Sequence, residues 1–273
     1  MRIRAAAISV WCVVFGLMPT PAWAQFQAKR ITDPATGEKY HVEVGGYFWN
    51  PTPEISITSE SLPGIKGSRI DFVNDLGIEK TRFKQIKIVL RPAKKHKFRF
   101  EYTPITYDAV GVIRANIIFN GIEFPLSLPV ATNLQWKAYR FGYEWDVVSR
   151  DRGFFGILLE AKYTEVEATL QNFFDTEFVS ARAPIPAIGV IGRVYFVPNI
   201  SLTAEFSGIK VPESISDDYR AKYFDFDIYG TVNFTDHFGA QAGYRSFDVF
   251  YKVKGDEGEL KLKGLYFGGV ARF

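Results

Sequence analysis

The last seventeen residues, Glu257 to Phe273, constrain the fold more than any other stretch. Counting back from Phe273 in twos gives Ala271, Gly269, Phe267 and Leu265, all small or apolar. Gly264, Tyr266, Gly268 and Arg272 fall on the opposite parity, with Val270 as the exception. Just upstream, Leu260 and Leu262 alternate with Glu259, Lys261 and Lys263. A strand sends successive side chains to opposite faces, so a repeat of two residues is the mark of an extended segment with one apolar face.

The same alternation recurs along the chain. It begins at Val42, Val44, Tyr47 and Trp49 and extends through Ile55 and Ile57. Ile86, Ile88 and Leu90 alternate with Lys84, with Lys87 out of phase. Phe98, Phe100 and Tyr102 alternate with charged residues, as do Tyr139, Phe141, Tyr143 and Trp145. The pattern returns at Phe155 to Tyr163, at Ile200 to Phe206 and at Phe224 to Phe234. Residues 238–253 form a further strand with a phase slip near Ser246-Phe247, as a bulge would give. A loop of irregular sequence is expected from about Gln171 to Pro186, and another between Pro125 and Pro129. No amphipathic pattern of 3.6-residue period appears, and no glycine-rich nucleotide fingerprint. Ten strands result: 42–57, 82–91, 96–119, 131–148, 152–168, 185–197, 199–210, 221–235, 237–253 and 258–273. In that count RIDFVNDLGI belongs to the first long loop, within 58–81. Twelve strands follow if that segment is a strand and 96–119 splits near Asp108. Ten is favoured, because Arg91-Pro92 resembles the other short turns.

The N-terminal 24 residues read as a secretory signal peptide. Arg2 and Arg4 precede an apolar run from Ala5 to Met18, and Ala22-Trp23-Ala24 supplies small residues at a cleavage site. The single cysteine, Cys12, lies inside that run, so the mature chain has neither a disulfide framework nor a thiolate metal site. Removing the segment takes the charge balance from 33 − 30 = +3 to 31 − 30 = +1. Such neutrality argues against a nucleic-acid-binding domain. Residues 25–40 are polar and aperiodic and read as a loose periplasmic lead.

The terminal aromatic strand, the strand series and the alternation of short turns (149–153, 198–199, 235–237) with longer loops (165–186, 208–222) together resemble small Gram-negative outer-membrane β-barrels as a class. The resemblance implies an all-β, antiparallel, up-and-down transmembrane barrel over 41–273. It implies that Leu265, Phe267 and Phe273 are read by the barrel assembly machinery. It also implies contact with outer-membrane lipid and lipopolysaccharide, with the protein taken as a monomer. No peptidoglycan-binding domain of the OmpA type is present in the sequence. On this reading the apolar side of each strand meets lipid and the ionic side looks inward. Arg99, Glu101, Arg140, Glu144, Glu160, Lys162, Glu205, Asp225, Asp227 and Arg245 then point into the lumen. Wide aqueous channels need about 16–18 strands. In a narrow lumen, charges of both signs must pair, because an unpaired buried charge is costly. A mostly filled interior is therefore expected, with a selective ion or solute path as the alternative.

Chemistry finds little support in the residues. The three histidines, His41, His96 and His237, sit at expected turns or a strand start, and none belongs to a His-x-Ser motif. Asp225 and Asp227 share a face and read as lumen ion-pair partners rather than an acid–base pair. Asp217-Asp218 offers too few oxygens for Ca²⁺. Asn199-Ile200-Ser201 and Asn233-Phe234-Thr235 match a glycosylation pattern by chance. No catalytic, cofactor or metal residue is assigned, and no cofactor is expected. The expected function is a non-enzymatic barrel with a structural, adhesive or narrow-passage role. The alternatives are a porin-like channel for small solutes, a lipid-modifying barrel enzyme and a soluble periplasmic sandwich.

Overall fold

A computed structural model describes residues 33–62, 65–112, 117–119, 122–124, 129–171, 176–211, 219–253 and 256–273. The signal-peptide segment and Asp217-Asp218 lie outside the described residues. Among the described residues all regular structure is β: β1 (Val42–Leu62), β2 (Ile65–Asp71), β3 (Phe83–Ala93), β4 (His96–Val112), β5 (Ile117–Phe119), β6 (Ile122–Phe124), β7 (Pro129–Arg150), β8 (Gly153–Gln171), β9 (Thr176–Val197), β10 (Ile200–Val211), β11 (Tyr219–Asn233), β12 (Phe238–Val253) and β13 (Asp256–Arg272). Ten of these pair antiparallel in chain order, from β1 and β3 through β4 and β7 to β13. β13 then pairs with β1 from Glu43↔Arg272 to Thr58↔Glu257, which closes the barrel. Closure satisfies every edge that an open sheet would leave exposed.

Two pieces lie outside the ten. β2 adds to the far end of β1, opposite Ser56 and Ile57. β5 and β6 form a separate hairpin. The favoured count of ten is the observed one, and RIDFVNDLGI does fall in the first long loop. Its start nevertheless pairs as β2, and Phe72 then donates its backbone N–H to the Ile55 carbonyl. The expected strand 96–119 stops at Val112, and 117–119 belongs to the hairpin. The stretch from Gln171 to Pro186, expected to be irregular, is strand up to Gln171 and again from Thr176, because β8 and β9 pair out to Gln171↔Thr176. Pro129 begins β7 rather than bounding a loop.

The outer wall carries an apolar belt. On β13 it runs over the nine residues from Leu265 to Phe273, and Leu265, Phe267 and Phe273 all face outward. A tilted strand needs about 9–11 residues to cross an outer membrane. Phe98, Phe141, Trp145, Phe155, Leu159, Ile188, Phe196, Phe206 and Phe238 are exposed in the same belt. Stacked Tyr102 and Tyr139, with ring centroids 4.8 Å apart, mark its border on the long-loop side.

Beyond that border the polarity of the wall inverts. Outward positions become charged and pair across strands, Lys222 with Asp248 at 2.5 Å, Lys252 with Glu257 at 2.9 Å and Lys263 with Glu54 at 3.6 Å, or along one strand, Lys261 with Glu259 on β13. Inward positions become apolar: Ile55, Ile57, Ile105, Leu134, Trp136, Val249, Leu260 and Leu262 form one buried cluster, joined by Ile70, Phe72, Leu76 and Ile78 from the first long loop. Lipid-facing cations near a bilayer midplane cost about 2–4 kcal/mol each. This upper part therefore stands in water, with its own hydrophobic core inside.

The inversion corrects two expectations. Inward-facing apolar and outward-facing ionic residues coexist on the same strands, so the rule of grease outward and charge inward holds only across the belt. The expected bulge near Ser246-Phe247 is also absent, because β12 pairs with both neighbours in unbroken register. Phe247 and Val249 are apolar because they reach the upper core, not because the strand has slipped. Lys87, expected out of phase, is in phase and points inward, while Lys84 shares the outward face with Ile86.

Candidate functional site

Below the apolar core the lumen is filled by charge. Each inward residue on these strands lies opposite others across a narrow barrel, so long side chains meet at its axis. The ten residues singled out from the sequence, Arg99, Glu101, Arg140, Glu144, Glu160, Lys162, Glu205, Asp225, Asp227 and Arg245, are all buried on this face. Glu205 receives Lys87 at 3.0 Å, Arg99 at 2.5 Å and Arg140 at 3.5 Å, and the Tyr229 hydroxyl donates to it at 3.0 Å. Asp225 takes the Arg245 guanidinium through both oxygens, Nε at 2.9 Å and Nη2 at 2.7 Å, and lies 3.3 Å from Lys162. Arg245 also reaches Glu101, and Arg140 binds Glu160. Glu144 joins Lys97 at 2.6 Å to Arg99 at 2.7 Å. Asp227 makes its bonds to the Tyr266 hydroxyl, at 2.9 and 3.1 Å, rather than to a cation.

Sequence reasoning missed several members of this network. Lys87, Lys97, Asp146, Arg193, Glu43 and Arg272 share the inward parity and are buried. The parity of their strands was the available signal. Counting these with Arg91 and Glu38, nine cations (Lys87, Arg91, Lys97, Arg99, Arg140, Lys162, Arg193, Arg245, Arg272) meet nine carboxylates (Glu38, Glu43, Glu101, Glu144, Asp146, Glu160, Glu205, Asp225, Asp227). The void touching the middle of this network holds about 20 Å³, room for one water.

Glu38 has no strand to betray it. It belongs to residues 33–41, which do not hang loose as expected but fold into the short-turn mouth of the barrel. Ala35 donates its N–H to the Asp151 carbonyl at 3.2 Å and Thr36 to the Pro198 carbonyl at 2.7 Å. Asn233 Nδ2 donates to the Thr36 carbonyl at 2.7 Å, and Gly37 N–H to Asp236 at 2.9 Å. Gly37 turns with φ +81°, a left-handed conformation that suits glycine, and a Cβ there would lie 2.6 Å from Arg272 Nη1. That turn aims the Glu38 carboxylate inward. It accepts from Arg193 Nη1 at 2.8 Å and from the Tyr195 hydroxyl at 2.7 Å, and its other oxygen lies 3.4 Å from Arg91 Nη1. Burial pushes this carboxyl up, but the nearby Arg193 and Lys97 charges outweigh it, and the group titrates below its ordinary value. Burial, with the Glu43 and Glu38 carboxylates, holds the Tyr40 phenol well above its own.

The histidines cluster at this same end. His41 Nδ1 sits 3.3 Å from the Arg91 carbonyl and His237 Nδ1 3.0 Å from the Arg272 carbonyl. His96 Nδ1 is 2.6 Å from the Tyr143 hydroxyl on the outer wall. Among the described residues no group of three or more His, Cys, Asp or Glu is arranged to hold a metal ion.

A closed ten-stranded antiparallel barrel with an apolar belt and a charged lumen has the fold of Gram-negative outer-membrane β-barrels. Comparison with solved structures gives the same fold. The outer-membrane protease OmpT of Escherichia coli superposes with a TM-score of 0.61 at 9% identity, covering 89% of this chain and 100% of that one. The attachment invasion locus protein Ail of Yersinia pestis (TM-score 0.37, 11% identity, 85% and 99% covered) and the toluene transporter TodX of Pseudomonas putida (0.36, 8%, 89% and 93%) are more distant. No family model matches the chain, and no curated protein matches it by sequence. The likeness to OmpT shows the fold alone, and it assigns no activity.

Proposed function

We propose that this protein is a non-enzymatic outer-membrane barrel with a closed lumen, serving a structural or adhesive role. The observation that carries the reading is the balanced network of nine cations and nine carboxylates beneath a dry apolar core. Among the described residues the voids touching the two layers hold about 20 Å³ each, room for one water, which supports a closed lumen. The raised, ion-paired outer wall on the long-loop side presents a water-exposed collar suited to adhesive contact. In this reading the chain is exported with cleavage after Ala24, the assembly machinery reads Leu265, Phe267 and Phe273, and lipopolysaccharide surrounds the belt of a monomer. His41 and His237 rest against main-chain carbonyls, which fits a role at turns rather than in proton transfer.

Planar-bilayer recording of the refolded protein tests this. The expected result is no stepwise conductance above baseline. Reproducible steps would overturn the closed lumen and favour a diffusion channel. Changed lipid A or phospholipid profiles in cells carrying His96→Ala or His237→Ala would instead favour a barrel enzyme.

A further inference from the structure

The folded N-terminal segment creates a pocket at the short-turn mouth that the closed-lumen reading does not use. It opens between residues 34–41, the β3–β4 turn and the β7–β8 turn, and its volume is about 430 Å³. Ligand sites typically fall at about 300–1,000 Å³. Tyr40 and Phe154 supply flat apolar surface to its lining. Both rings already carry cations: Arg91 and Arg272 lie 5.3 and 5.8 Å from the centroid of the buried Tyr40 ring, and Lys97 and Arg193 lie 3.6 and 5.3 Å from that of Phe154.

Its charge is unbalanced. Lys39, Lys94 and Arg150 line the mouth, and among the described residues their side chains have no ion-pair or hydrogen-bond partner. These three are exposed at the rim, whereas the buried cations of the lumen below are each matched to a carboxylate. Glu38, on the pocket floor, is committed to Arg193, Tyr195 and Arg91. Asp151 is the one remaining carboxylate in the lining, so three free cations face a single acid.

We infer that this pocket binds a small organic oxyanion of at least two negative charges that carries a flat apolar group, such as an aryl phosphomonoester. The oxyanion would lie among Lys39, Lys94 and Arg150, where converging cations favour it over a singly charged group. The flat group would lie against Tyr40 and Phe154. Access is from the periplasmic side, through the mouth where residues 33–41 and Phe273 lie.

Phenyl phosphate is the probe, titrated calorimetrically into the full-length protein in detergent at low salt. Saturable binding is expected, tighter than inorganic phosphate (no ring) and tighter than benzoate (one charge). Lys39→Ala/Lys94→Ala/Arg150→Ala should weaken it at least about tenfold, and raised salt should weaken it further. The three side chains are free of partners, so the variant should keep the folded gel mobility of the parent. Absence of saturable binding, equal affinity for inorganic phosphate, or unchanged affinity in the folded triple variant would each overturn the assignment.

Discussion

Glu205 is the residue on which most of the lumen converges. It stands among Lys87, Arg99 and Arg140, with the Tyr229 hydroxyl as a fourth contact. Replacing it with alanine leaves three buried cations short of a partner. Breaking such a site typically costs about 3–5 kcal/mol, mostly from the charge left behind rather than the bond removed. Glu205→Ala should therefore lower the urea midpoint of the barrel in detergent far more than Glu54→Ala, whose single partner Lys263 lies on the exposed wall. Glu205→Gln, which keeps the shape and some bonds, should fall between them. Equal midpoints for Glu205→Ala and Glu54→Ala would show that the network is not a structural keystone. Room for these long side chains comes in part from glycines. A Cβ on Gly268 would lie 2.1 Å from the Gly46 carbonyl oxygen and 2.5 Å from the Tyr47 ring. Only glycine lets Tyr47 lie across β13 and meet Tyr266 edge-on at 5.6 Å.

The N-terminal segment is the element whose stability depends most plainly on pH. Glu38 titrates below its ordinary value of 4.5 in the folded protein. A carboxylate depressed on folding contributes stability above its unfolded pKa, and that contribution fades as pH falls through the folded value. The clamp of residues 33–41 should thus hold at pH 7 and loosen on acidification below the usual glutamate range. Glu38→Gln should remove about 1–2 kcal/mol at neutral pH, discounted because the side chain is 19% exposed. The gap between parent and variant should narrow as pH falls below 4.5. Limited proteolysis within 33–41 across this range reads the effect directly. A gap between the two that widens on acidification would contradict the electrostatic account.

At the scale of the whole molecule, closure of β13 on β1 should make the barrel resistant to detergent at room temperature. Unboiled protein from outer-membrane fractions should migrate differently from boiled protein, and deleting Phe273 should abolish the folded species. Identical mobility before and after boiling would argue against a membrane barrel. Period-two alternation established the strand series, the apolar face from Leu265 to Phe273 and the inward parity of Arg99, Glu101, Arg140, Glu205 and Asp225, and the short turn at Arg91-Pro92 favoured ten strands over twelve. Alternation is local, because one pleat assigns two faces whatever lies beyond them. It could not tell that Leu260, Leu262, Phe247 and Val249 face inward while their charged neighbours face water. Which face is dry depends on height above the belt, a property of the assembled barrel. Nor could it place Glu38, whose inward aim comes from a glycine turn and from bonds to Asp151, Pro198 and Asn233, more than a hundred residues away. The meeting of nine cations with nine carboxylates likewise exists only once ten strands bring their inner faces within reach of one axis.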